Sequence, residues 1–155
     1  MTSQITYEMS GGKKLKVIAC VDYRNGMLFN HRRQSRDQTV TEKIQELCQG
    51  KILWMNEYSS SLYGNMHGVT VQCHENFPDQ AESGDFALME TVDPGNYKER
   101  TEELILFCWN RIYPAQLFMT LDLSEWKQTE ELEFEGTSHE KITMKKYIPY
   151  QNRTE

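Results

Sequence analysis

The side chains best suited to chemistry lie close together: His31, Arg32, Arg33 and Arg36, followed at once by Asp37. Guanidinium groups present forked donors that match phosphate and carboxylate oxygens, so such a cluster can clamp a small anion. It can equally be a solvated loop paired with acidic side chains from elsewhere in the chain, the usual fate of a charge run. Asp37 has two readings as well. It is the candidate catalytic acid of the stretch if it is buried, and a helix cap if it merely precedes a helix. Cys20, a little upstream, could be a reactive thiol, but no basic neighbour is assignable and burial is the simpler reading.

These residues need an element to carry them, and residues 15–21, LKVIACV, supply one. A short, continuous apolar run rich in Val and Ile, closed by Asp22 and the turn pair Asn25-Gly26, reads as a strand buried on both faces at the centre of an α/β sheet. The loop at its carboxyl end is where such sheets bind ligands. Thr39 and Glu42 form a capping box, Val40, Ile44, Leu47 and Cys48 share one face, and Gly50 supplies a stop, which predicts the first helix. Residues 52–55 form a second strand, 69–73 a third and 86–89 a fourth, with a short helix over 76–83.

From residue 97 the apolar side chains Tyr97, Thr101, Leu104, Ile105, Cys108 and Ile112 fall at helical spacing, which predicts a helix ended by Pro114. A fifth strand is expected over 117–123. Residues 126–134 and 141–148 alternate and are joined by EGTSHE, an antiparallel hairpin. The expected fold is a single three-layer α/β domain over 13–150, with a mixed, mostly parallel sheet and an antiparallel C-terminal hairpin. Residues 1–12 read as a flexible polar leader and 151–155 as a tail.

Composition limits the function. The 155 residues are 38% hydrophobic with a net charge of −6, and the charge is uneven: +3 over residues 1–74 and −9 over 75–155. An acidic chain is a poor general nucleic-acid binder, because that binding rests on neutralising phosphates. Cys20, Cys48, Cys73 and Cys108 form no C-x-x-C pair and read as free thiols of a cytoplasmic protein. The first residues are too polar for a signal peptide, and no apolar run reaches the roughly 20 residues that a bilayer requires. Trp54, Trp109 and Trp126 sit in or beside apolar segments and read mainly as core.

In order and spacing the chain resembles dihydrofolate reductase. KVIACVDYRNGMLFN is similar to that family's opening strand and mobile loop, KILWMNEYSSSLY to its second strand and phosphate-binding turn, and LFMTLDLSEWKQTEELEFEGTSHEKITMKKYI to its terminal strand and hairpin. The resemblance implies a pterin reductase using NADPH, with Asp37 in the place of the catalytic carboxylate and Ser59 as the hydroxyl donor to the cofactor phosphate. The family's motifs are altered, however. Its L-P-W-x-L-P-x-D phrase is represented by RRQSRD, its Gly-Arg pair by Asn56-Glu57, and its glycine pair after the fourth strand is missing where that strand ends Met89-Glu90-Thr91, the only nearby glycine being Gly95 in a turn. A carboxylate facing a phosphate is repulsive.

The expectation is therefore a reductase fold that has lost its reductase site, needs no cofactor, and binds a small anionic ligand or a host protein. The alternatives are a true nicotinamide-dependent pterin reductase, or an interaction or inhibitor protein of a mobile element using its acidic half. The chain is also similar to short proteins of Gram-positive bacteria and mobile elements labelled ribonuclease Z. That label implies a zinc phosphodiesterase with an H-x-H-x-D-H phrase. His31, His67, His74 and His139 are too widely separated for it, so no metal site is expected.

Overall fold

The computed structural model describes residues 13–150; the expected leader and tail lie outside them. Strand β1 (Leu15–Val21) is followed by β2 (Gly26–Phe29) and β3 (Arg32–Arg33), helix α1 (Gln38–Leu47), β4 (Ile52–Met55), α2 (Glu57–Tyr63), β5 (Thr70–Cys73), the single-turn α3 (Phe77–Gln80) and β6 (Phe86–Leu88). A 3₁₀ segment (Pro94–Arg100) leads into β7 (Thr101–Cys108), then β8 (Leu117–Phe118), a second 3₁₀ turn (Leu123–Glu125), β9 (Trp126–Phe134) and β10 (Ile142–Pro149).

Seven strands form one sheet in the order β5-β4-β6-β1-β7-β10-β9. The pairings from β5 through to β7 are parallel, and those of β7 with β10 and of β10 with β9 are antiparallel. As its unbroken apolar run demands, β1 lies in the middle: Leu15, Val17, Ala19 and Val21 enter one core and Ile18 the other. The first core is covered by α3, the 3₁₀ segment and the loops around β2 and β8; the second by α1 and α2. This is the three-layer α/β arrangement with an antiparallel hairpin edge. Val40 and Ile44 of α1 are fully buried in the second core, each worth about 1.5–3 kcal/mol relative to exposure. No helix among the described residues is long and apolar enough to cross a membrane.

The expected loop after β1 carries β2 and β3, the helix expected over 76–83 is the single turn α3, and two further elements differ more deeply. The helix expected from residue 97 is instead a 3₁₀ segment followed by the long strand β7. Leu104, Ile105, Leu106 and Phe107 are consecutive and all buried, Leu104 and Leu106 in one core and Ile105 and Phe107 in the other. A strand between two cores buries both faces, so four neighbours in a row can be apolar; a surface helix cannot do this. The expected fifth strand shrinks to β8, which pairs with β2 in a separate sheet of order β3-β2-β8 and never joins the main one.

That small sheet fastens the loop after β1. The Asp22 carboxylate accepts from the backbone N–H groups of Gly26 (2.7 Å), Arg24 (2.8 Å) and Tyr113 (3.1 Å), and from the Gln34 amide (3.0 Å). Burial pulls its pKa up, but those backbone donors outweigh it and hold Asp22 below the ordinary carboxylate value. Only glycine fits at position 26, where a Cβ would stand 2.7 Å from that of Ala115.

Candidate functional site

The carboxyl ends of β1, β4, β6 and β7 define the crevice in which an α/β sheet places its ligand. Two networks of the chain's own side chains occupy it. The first is built on Glu90, just beyond β6. Arg33 grips it with both arms of the guanidinium, Nε to Oε2 at 2.8 Å and Nη2 to Oε1 at 2.9 Å, and the Ser59 hydroxyl donates to Oε1 at 2.8 Å. The guanidinium lies 4.5 Å from the ring centre of Tyr58, whose hydroxyl accepts from the Arg33 N–H at 2.8 Å. The Glu90 and Arg33 side chains are only 7% and 16% exposed, so little water screens the pair. Cys20 and Tyr63 line the same interior, and burial, reinforced by the charge of Glu90, pushes both of their pKa values far up. A raised pKa disfavours the thiolate of Cys20 at neutral pH.

The second network is built on Asp37. Its side chain caps α1 by accepting from the Thr39 N–H at 2.9 Å, so the cap is Asp37 itself and the helix opens one residue later, ahead of the Thr39 that the capping box proposed. The same carboxylate accepts from the backbone N–H groups of Thr137 (2.9 Å) and Ser138 (2.8 Å) in the β9–β10 loop, and lies 2.8 Å from His139 Nδ1. The loop approaches so closely that a Cβ on Gly136 would meet Asp37 Oδ2 at 2.5 Å. Burial alone would raise the Asp37 pKa. The Thr137 N–H, His139 and the N–H groups of Ser138 and Thr39 reverse this and hold the carboxyl well below its usual range. On its other edge the imidazole Nε2 lies 2.8 Å from Ser35 Oγ and 3.3 Å from Tyr113 Oη, and the ring stacks on Trp109 at 4.7 Å.

The residues singled out from the sequence are thus dispersed. Arg33 and Ser59 face Glu90, so neither is open to an outside anion. Strand alternation in β3 turns Arg32 outward as Arg33 turns in, and left-handed backbone at Asn30 and His31 makes the turn before it. Arg32 lines a surface depression of about 240 Å³ with Phe29, Asn30, Arg33, Gln34, Tyr113 and Pro114. His31 lines another with Leu28, Thr91, Gln116 and Leu117. Arg36 is exposed, and its charge acts on Tyr63. Asn56 caps α2 through the Ser59 N–H and donates to Thr91 Oγ1 at 2.7 Å, while the Glu75 carboxylate accepts from the Glu57 backbone N–H at 2.9 Å at the same helix start.

Glu90, His139, Ser35, Tyr113 and Trp109 were not expected at the site. Glu90 had a signal, as a carboxylate closing the buried run FALM. His139 had none, because the loop that carries it gives no sign of folding back onto α1. Among the described residues no group of three or more His, Cys, Asp or Glu stands where it could hold a metal ion. The four cysteines are free, with Cys73 exposed and Cys48 buried.

No family model matches the chain, and no curated protein matches its sequence. Among solved structures it is similar to dihydrofolate reductase from Enterococcus faecalis complexed with NADP(H) and RAB-propyl. The TM-score is 0.65, covering 89% of this chain and 97% of that one, at 11% identity. At this identity the likeness defines the fold: the chain has a dihydrofolate reductase-like fold.

Proposed function

We propose that this protein uses the dihydrofolate reductase frame without reductase chemistry, and binds a small anionic ligand at the mouth of the crevice through Arg32. The Arg33–Glu90 pair carries the reading. A bidentate, largely buried ion pair with a serine and two tyrosines around it fills part of the crevice, and breaking it to admit a ligand there would leave a buried charge unpaired. The acidic pair Glu57 and Glu75 at the start of α2 opposes a cofactor phosphate in the same way. Arg32 is exposed and makes no ion pair among the described residues, and the depression beside it offers an aromatic wall and the Asn30 amide.

Thermal unfolding tests both halves. NADPH and dihydrofolate at near-millimolar concentration should leave the midpoint unchanged, whereas a ligand at a hundredfold above its dissociation constant would add about 2.7 kcal/mol. Sulfate and succinate at low ionic strength should raise the midpoint, and Arg32→Ala should abolish that rise. A clear shift with NADPH overturns the loss of the reductase site. No response to either anion in the intact protein overturns the ligand.

The acidic edge strand favours a second reading, binding of a basic host protein. Glu130, Glu131, Glu133 and Glu135 are exposed along the edge strand β9 and the loop after it. Pull-down with the Glu130→Lys/Glu131→Lys variant as control tests it.

A further inference from the structure

We propose that Ser35, His139 and Asp37 form an acyl-transfer site that cleaves small carboxylic esters, an activity that goes beyond anion binding at Arg32 and does not depend on it. The geometry is that of a nucleophile, a base and the group that orients the base: Ser35 Oγ to His139 Nε2 at 2.8 Å, and His139 Nδ1 to Asp37 Oδ2 at 2.8 Å. Nucleophilic catalysis by serine needs these roles wherever they fall along a chain, and here they come from the loop after β3, the hairpin loop and the α1 cap.

Each part is held in place. Asp37 is fixed by three backbone N–H groups and its side chain is fully buried, so it stays ionised and directs a proton onto Nδ1. Nε2 is left to accept, and Ser35 Oγ is nearer to it than Tyr113 Oη, at 2.8 against 3.3 Å. Trp109 stacks on the ring and prevents it from turning. Ser35 is the half-buried member of the three, His139 and Asp37 being buried. Asp37 is a positioning residue; Ser35 and His139 are the reacting groups.

In the step proposed, Oγ bonds to the acyl carbon as its proton passes to Nε2, and the resulting imidazolium faces the Asp37 carboxylate. The ester's alkoxide leaves with that proton. Water then attacks the acyl-serine, giving its proton to Nε2, and the regenerated serine takes it back as the carboxylic acid departs. The backbone N–H groups of Ser35 and Arg36 have no acceptor among the described residues.

The test uses the full chain and p-nitrophenyl acetate. The expected result is a burst of one equivalent of p-nitrophenolate followed by slower turnover, with the acetyl group mapped by peptide mass spectrometry to Ser35. Ser35→Ala should lose the burst and lower turnover by about a hundredfold or more, the usual scale of a positioned base and its nucleophile. Its unfolding midpoint, measured alongside, should stay near that of the parent, since the change removes one hydroxyl. His139→Gln should act likewise, and where it fails to fold, Ser35→Ala decides alone. A parent protein no faster than Ser35→Ala, or acetylation confined to lysines and tyrosines, overturns the proposal and leaves the network as a fastening of the hairpin loop.

Discussion

The two carboxylates in the crevice are satisfied in different ways. Glu90 is met by side chains, a guanidinium and a hydroxyl; Asp37 is met chiefly by backbone N–H groups from two segments about a hundred positions apart. A side-chain partner can be removed together with the charge it balances, whereas a backbone donor remains whatever side chain replaces the acid. The Glu90 network therefore fills a space, and the Asp37 network fixes the course of the chain.

The largest expected effect is at Asp37. Asp37→Ala leaves the N–H groups of Thr39, Thr137 and Ser138 and the His139 ring without their acceptor, and should cost about 3–5 kcal/mol in urea unfolding. No substitution among its partners should restore the loss; a rescuing second mutation there would break the distinction.

Glu90→Ala comes next, at about 2–3 kcal/mol, less because Arg33 is partly exposed and can turn toward water. The double variant Arg33→Met with Glu90→Leu should regain most of that loss, to within about 1 kcal/mol of the parent, since buried ion pairs exchange well for packed apolar side chains. If the double variant is as unstable as the single one, the two networks are alike after all.

The smallest effect is confined to acid. The folded Asp37 carboxyl titrates well below its unfolded value of about 3.9. Its contribution is thus fully present above that pH and is lost as pH falls through the folded value. Between pH 4 and 2 the midpoint of the parent should fall more steeply than that of Asp37→Asn, which carries no such titration. Parallel curves would show that Asp37 does not contribute to the acid limb.

How much of this could be read from the residues follows the same division. Local patterns were legible: the apolar run of β1, the alternation of β9 and β10, and the apolar face of α1 predict their elements because the period of burial is written in neighbouring positions. In β7, burial on both faces removes the alternation, and the spacing of Leu104, Ile105 and Cys108 imitates a helix. The arginine cluster misled for a related reason. Adjacent residues in a strand point to opposite sides, so Arg32 and Arg33 part company although their charges are contiguous in sequence. That Asp37 caps α1 is a local fact and was among the readings offered. That it also gathers Thr137, Ser138 and His139 is a matter of topology, which no single stretch contains.

Topology also sets when this molecule can become itself. β1 pairs with β6 and β7, whose residues begin at Phe86 and Thr101, so its edges stay uncovered until those later strands have been made. The partners of Asp37 arrive later still, beyond position 136. Until then α1 has only its own Thr39 N–H to hold the carboxylate. Until these non-local pairings form, the apolar faces of β1 and its neighbours stay uncovered, and such pairing slows folding. The contact that joins the start of α1 to the hairpin loop can close only once residues 137–139 are in place.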